Sequence, residues 1–264
     1  MIESVDALCT LRETITRIER RGLVEVPPVA PLGVETIDRV LGGGLARGRL
    51  HELFAAEPVD TSSAAGFATM LACLALPAGT PLIWLRQEDA ETRGGRLYAP
   101  GLVEIGLDPA RLVLVVLPDP VTLLRAAADV VRCAEVGAVV IELWRRPRAL
   151  DLTASRRLAI AAEASGVTTL LLRAEAEPSP SAAQTRWQVA TAASSALEAD
   201  APGGPALDLE LLRQRGRPAG GRWRLEWDRD RACFREPALS GAFLPAASGR
   251  PVDGAGSAPL RRAG

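Results

Sequence analysis

The sequence predicts an α/β fold: a largely parallel sheet with helices on both faces and an antiparallel hairpin at its C-terminal edge. Two observations carry this. From Leu32 to Leu172 short apolar runs alternate with helix-periodic stretches, the mark of parallel strands covered on both sides. From Trp187 onward the pattern becomes strict apolar–polar alternation, as in Leu207-Asp208-Leu209-Glu210-Leu211 and Trp223-Arg224-Leu225-Glu226-Trp227-Asp228. Those last two runs, separated by a Gly/Pro turn, read as a hairpin with one apolar face.

The elements follow in order. Residues 4–20 read as an amphipathic helix: Leu8, Leu11, Ile15 and Ile18 fall on one stripe, with Val5 one turn earlier. Arg20, Arg21 and Gly22 close it. The proline-rich stretch Pro27–Pro31 is a stiff linker, so the 1–26 segment stands apart from the core. Its stripe either packs on the protein's own core or docks on a partner.

Val34 to Leu41 is a short helix ended by three glycines. Arg49 to Phe54 is a strand. Thr61 to Leu76 is a helix with Phe67, Met70, Leu71 and Leu74 on one face. Pro81 to Leu85 and Leu112 to Leu117 are strands, and the second, purely apolar, is expected at the sheet centre. Val121 to Glu135 is a helix, Gly137 to Leu143 a strand, Thr153 to Ser165 a helix and Val167 to Leu172 a strand. The core is expected to span 27–236. Residues 237–264, rich in Pro, Gly, Ala and Ser without periodicity, are expected to be a disordered tail.

The chain is 264 residues long and 48% hydrophobic, enough for one large core with extensions or for two small domains. Its first residues carry acids rather than a basic leader, and no run approaches the roughly eighteen apolar residues of a spanning helix. A cytoplasmic protein with no membrane contact is expected. The net charge of −1 provides no global attraction for nucleic acid, so any such contact must be local.

Several chemistries are missing. All 31 basic residues are arginine. Without lysine there is no phosphate-loop lysine, Schiff base or lysine general base. The single histidine, His51, lies inside a strand with no obvious Ser or Cys partner, so a structural role is expected. Cys9, Cys73, Cys133 and Cys233 are far apart, which argues against zinc and dithiol redox. Cys9, Cys73 and Cys133 fall in helix-like stretches and read as small core residues. No metal, cofactor or catalytic residue is expected.

Two arginine patches stand out. Arg145, Arg146 and Arg148 follow Glu142 at the end of an apolar strand, with Arg156 and Arg157 at the start of the next helix. That is the carboxyl side of the sheet, where α/β proteins bind ligands. Arg213, Arg215, Arg217, Arg222 and Arg224 surround the hairpin turn with no acid among them. Arginine forks suit phosphates and acidic surfaces alike. A solvated turn is the plainer reading of the second patch, with Trp223, Leu225 and Trp227 in the core.

The stretch from Leu32 through Gly42-Gly43-Gly44 to Phe54 resembles the start of the core of RecA-type proteins, and Ala138-Val139-Val140-Ile141-Glu142 sits where they place a strand ending in a metal-supporting acid. Within that superfamily the chain is similar to ImuA-type proteins of bacterial mutagenesis cassettes. The segments that carry this are Leu97-Tyr98-Ala99-Pro100-Gly101-Leu102, Asp151-Leu152-Thr153-Ala154-Ser155-Arg156-Arg157-Leu158 and Trp223–Asp228, in that order, within residues 30–236.

The resemblance implies a RecA-like fold and a role in SOS, damage-induced, error-prone translesion synthesis. It implies partners: an ImuB-like inactive relative of Y-family polymerases, an error-prone C-family polymerase, RecA, and a weak DNA contact. It places DNA-contacting residues after the Glu142 strand, although the loop here is shorter than in RecA. At the hairpin turn it places basic residues that reach a neighbouring subunit's nucleotide.

It also aligns Ala55–Ser63 with the phosphate loop. A working loop needs glycines whose N–H groups wrap phosphate, a lysine, and a Ser or Thr for Mg²⁺. This segment has no glycine or lysine. Pro58 removes a donor. Glu57 and Asp60 place like charge against phosphate, a repulsion of roughly 1–4 kcal/mol at a few ångströms. Thr61, Ser62 and Ser63 remain, and the helix start is expected to be capped by Asp60 or Thr61. Glu142 is the remnant acid, expected to pair with a nearby arginine. Glu88, Asp89 and Glu91 read as a solvated loop. The expectation is a non-catalytic adaptor binding through the 4–20 stripe or the arginine patches. The alternatives are an ATPase with an unorthodox site and a SulA-like inhibitor of cell division.

Overall fold

The computed structural model describes residues 28–195, 201, 203–218 and 220–237. The expected 4–20 helix with Leu8, Leu11, Ile15 and Ile18, Cys9, and all but the first residue of the 237–264 tail lie outside them.

The strands are β1 (Val29–Ala30), β2 (Leu45–Ala46), β3 (Leu50–Ala55), β4 (Leu82–Gln87), β5 (Leu112–Leu117), β6 (Ala138–Trp144), β7 (Thr168–Ala174), β8 (Thr185–Thr191), β9 (Ala206–Gln214), β10 (Arg222–Asp228) and β11 (Cys233–Arg235). The helices are α1 (Glu35–Leu41), α2 (Thr61–Ala75), α3 (Ala90–Gly94), α4 (Ala99–Ile105), α5 (Pro120–Val130) and α6 (Leu152–Ser165). Nine of these strands form one sheet in the order β11-β10-β9-β8-β3-β7-β6-β4-β5. The run from β8 to β5 is parallel, and β9, β10 and β11 are added antiparallel. The predicted hairpin is β9–β10, with Leu207 opposite Leu225 and Leu209 opposite Trp223.

The central strands β3, β4, β6 and β7 alternate between two cores because successive side chains point to opposite faces. Leu53, Trp84, Val140, Leu170, Leu172 and Trp187 meet α2 on one face. Leu50, Leu85, Val139, Ile141 and Leu171 meet α5 and α6 on the other. The α2 side buries Phe67, Met70 and Leu71 completely or nearly so, each stabilising by roughly 1.5–3 kcal/mol. Phe67 also packs edge-on to Trp187 at 5.9 Å.

Local chemistry sets the helix ends. Asp119 accepts from Val121 and Thr122 N–H to open α5, with Pro120 in its first turn. Asp151 accepts from Ala154 N–H at 2.7 Å to open α6, and Gly166 ends it with φ 81°.

Three expectations need correction. The run Leu112–Leu117 forms an edge strand, with Val113, Leu114 and Val116 exposed; apolarity alone does not distinguish a central strand from an uncovered edge. The helix expected over 121–135 stops at Val130, and Cys133 beyond it is exposed rather than in the core. Strands β4 and β7 run on into Arg86-Gln87 and Arg173-Ala174, both pairs buried. Among the described residues no helix is long and apolar enough to cross a membrane.

Candidate functional site

The carboxyl ends of β3, β4 and β6 bring together the segment aligned with a phosphate loop and the remnant acid. The Glu57–Asp60 stretch does not wrap a cavity. Pro58–Asp60 forms a 3-10 turn that runs directly into α2. Glu57 and Asp60 make a reciprocal capping box around that turn, with Glu57 N–H donating to the Asp60 carboxylate at 3.2 Å. Asp60 N–H donates to Glu57 O, and the other Asp60 oxygen accepts Thr191 N–H at 2.8 Å. The expected cap is therefore different: Asp60 makes no side-chain bond to α2 amides, and Thr61 Oγ1 donates back to Pro58 O. Ser63 Oγ meets Thr191 Oγ1, while Ser62 stays exposed.

Glu142 is almost fully buried and accepts three hydrogen bonds. Its carboxylate accepts Trp84 Nε1–H at 2.9 Å, Trp144 Nε1–H at 3.0 Å and Arg86 Nη2–H at 3.1 Å. The expected arginine partner is thus Arg86, itself 2% exposed, whose Nη1 also donates to Gly95 O. The Trp144 ring packs against Gly94, where an added Cβ would come within 2.7 Å of it. A cavity of about 290 Å³ remains between α2 and residues 94–105, lined by Thr61, Ser62, Thr69, Arg86, Glu142 and Trp144. The residues here do not fit a Mg²⁺–triphosphate. The loop amides serve a helical turn, two carboxylates stand beside it, and the acid that would support a metal is taken by three donors. Among the described residues no cluster of three metal-ligating side chains occurs.

A second buried charge network lies on the α6 side of the sheet. Glu52 is paired with Arg173 at 3.6 Å and Arg186 at 3.0 Å, and it accepts the Ser181 hydroxyl. Both guanidiniums stack on Phe54, at 5.7 and 5.8 Å from its ring centre. Sequence reasoning missed Arg86, Trp84, Trp144, Glu52, Arg173 and Arg186. The available signal was a charged residue inside, or directly after, an otherwise apolar strand, which must find a partner when buried.

Arg145 sits at the turn after β6 with φ 59°, a left-handed conformation that costs about 1 kcal/mol for a side chain. It is held there: its N–H donates to Ala174 O at 2.7 Å and its carbonyl accepts Arg173 Nη2–H. Its side chain reaches Glu175 at 3.4 Å. Arg146, Arg148, Arg156 and Arg157 are exposed.

Of the hairpin arginines, Arg213, Arg215 and Arg217 lie toward the opposite end of the sheet, because β9 descends from Ala206 to Gln214 antiparallel to β8, whereas Arg222 and Arg224 return along β10 to the level of Gln188 and Ala190, beside Ala56. The two patches stand apart across the sheet: β6 and β10 are separated by β9, β8, β3 and β7, roughly 24 Å at the usual strand spacing. They do not form one surface. The hairpin patch is also partly neutralised from across the ladder: Arg224 grips Asp208 with two 2.8 Å bonds and Arg222 reaches Glu210 at 2.9 Å. The Arg224 bonds hold the Asp208 carboxyl below its usual range. Arg213 donates to Ser181 O, and the Arg217 guanidinium packs against Gly42. Among the described residues Arg213, Arg215 and Arg217 have no such acid within ion-pair distance. Asp89 and Glu91 pair with Arg93 and Arg96, and Glu88 is exposed.

His51 is buried and wired: Nδ1 meets Thr185 Oγ1 at 2.7 Å and Nε2 meets Ala46 O at 2.8 Å. A carbonyl only accepts, so Nε2 carries the proton. Burial lowers the ring's pKa to about 4. Burial likewise raises the Cys73 thiol to about 11.

A Caulobacter vibrioides protein named Protein ImuA, present in two strains, is 35% identical over 214 residues; the match covers 75% of this chain and 83% of that protein. The crystal structure of the RadB recombinase superposes with a TM-score of 0.52 at 15% identity, covering 80% of this chain and 100% of the other. At that identity the likeness is one of fold: a RecA-like core, as the sequence predicted. No family model matches the chain.

Proposed function

The chain belongs to the ImuA family, and from that we propose that it works in DNA-damage-induced mutagenesis as a non-catalytic RecA-like adaptor in error-prone translesion synthesis. In this reading it binds an ImuB-like polymerase relative, beside an error-prone C-family polymerase and RecA. The observation that carries the non-catalytic part is the closure of the ancestral phosphate site. The Glu57/Asp60 box winds the loop into a turn, and Trp84, Trp144 and Arg86 donate to both carboxylate oxygens of Glu142. Such buried groups are costly to unpair, so they resist rearrangement around a ligand.

The partner surface in this reading is the Arg145–Arg148 turn with Arg156 and Arg157. These arginines are exposed at the carboxyl rim, on a turn fixed by Arg173 and Ala174. A fixed backbone presents guanidiniums to acidic groups with little ordering cost. The 4–20 stripe is the other candidate surface, and a weak DNA contact at the same rim is compatible with both.

The test has two arms. Purified full-length protein mixed with an ImuB-like partner at micromolar concentration should co-elute on size exclusion; separate elution counts against the adaptor. Melting with and without millimolar ATP and Mg²⁺ addresses the ATPase alternative. A real site at a hundred times its Kd adds about 2.7 kcal/mol through mass action, so a clear rise in Tm would reject the non-catalytic reading.

A further inference from the structure

We propose that the amphipathic segment 4–20 docks, in the same molecule, in the groove between α5 and α6. The groove is lined by Arg132, Arg157, Ile160, Ala161, Ala164 and Ser165, with a volume of about 400 Å³. Its floor is apolar and open: Ile160 is 58% exposed, beside Ala161 and Ala164. The Ser165 hydroxyl donates to Val131 O and ties the two helices together at the groove's lower end.

The occupant is named by where the chain arrives. The Pro28 carbonyl accepts Arg47 N–H at 2.7 Å, and Val29 pairs with Ala46. One residue on, Gly48 packs directly on Gly166, the residue that ends α6; an added Cβ would stand 3.1 Å from its Cα. Arg49 then binds Glu163 on α6. Pro28 therefore lies beside the C-terminal end of the groove.

Residues 21–27 span up to about 23 Å when extended, and α6 is about 21 Å long. The whole groove is within reach of residues 4–20. A seventeen-residue helix is about 25 Å long and carries Leu8, Leu11, Ile15 and Ile18 on one stripe. Glu19, four residues after Ile15, borders that stripe and matches the arginines flanking the floor.

Among the described residues the β5 edge is another uncovered apolar surface, with three exposed side chains on one strand, and it suits a helix poorly. The Leu117 carbonyl accepts from Glu88 on the β4 side. By strand alternation Leu114 and Val116 then turn their backbone groups outward, where only an extended strand satisfies them.

Hydrogen exchange on the full chain tests the assignment. In the wild type, amides of residues 5–20 should exchange at least about tenfold more slowly than in Ile160→Asp, while the sheet exchanges alike in both. Ile160 is exposed, so the substitution leaves the fold intact, and Ile15→Asp should release the segment from the other side. Equal rates in wild type and both variants overturn the proposal. So does release by Leu114→Asp instead, or protection that rises with protein concentration together with a dimeric mass, which would place the segment on another copy.

Discussion

Arg86 and Glu142, on neighbouring strands and 2% and 4% exposed, form an ion pair at 3.1 Å in the place where a RecA-type fold supports its metal. In a buried setting this pair stabilises only while both members are present. Glu142→Ala leaves a buried guanidinium and two indole donors without their acceptor, and should cost on the order of 3–5 kcal/mol in urea unfolding. The double change Arg86→Met with Glu142→Leu removes the charge problem and should recover most of that loss. A double variant as unstable as the single one would mean that the pair does more than compensate itself.

His51 makes the fold acid-sensitive. Its folded pKa of about 4 lies below the ordinary 6.5, so between those values the unfolded chain binds more protons than the folded one. The His51 contribution is full above pH 6.5 and is lost as pH falls through 4, on the order of 3 kcal/mol in total. Carboxylates add their own acid dependence in any variant, so the comparison is with His51→Gln. Unfolding free energies from pH 7 to 4 should fall more steeply in the wild type by about that amount.

The distribution of legible and illegible features has a physical cause. Period and punctuation located the helices and parallel strands because they are local: the runs Leu170–Leu172 and Leu207–Leu211 announce themselves. Their extent past Leu85 into Arg86 and past Leu172 into Arg173 was hidden, since a charged residue reads as a strand end until its partner is known. Those partners, Glu142 and Glu52, are 56 and 121 residues away along the chain. The same limit made the hairpin arginines look unpaired: Asp208 and Glu210 neutralise two of them through ladder register, which a one-dimensional count does not contain. At Pro58–Asp60 the chain makes a 3-10 turn in which Glu57 and Asp60 bond to each other, so Asp60 does not cap the following helix as its position alone suggests.

The β5 edge should govern solubility. Val113, Leu114 and Val116 expose an uncharged strand with outward backbone groups, the arrangement that natural proteins blunt with charge. Leu114→Lys with Val116→Lys should slow aggregation on concentration, measured by light scattering. Because both side chains are already about two-fifths exposed, Tm should shift little, within roughly 0.5 kcal/mol of stability. If the same change abolished co-elution with the ImuB-like partner, the edge rather than the arginine turn would be the adaptor surface.

The arginine patches should separate under mutation because their surroundings differ. Arg222 and Arg224 already hold Glu210 and Asp208, so a partner gains their charge only by breaking a pair. Arg146 and Arg148 are exposed and have no carboxylate within ion-pair distance among the described residues. Arg146→Glu with Arg148→Glu should weaken binding of the ImuB-like protein at least about tenfold, or 1.4 kcal/mol, with a shallower salt dependence than the wild type. Arg222→Ala with Arg224→Ala should change binding no more than about threefold. The reverse order of effects would move the docking face to the β9–β10 ladder, where Arg222 and Arg224 share a pocket with Ala56 and Ala190.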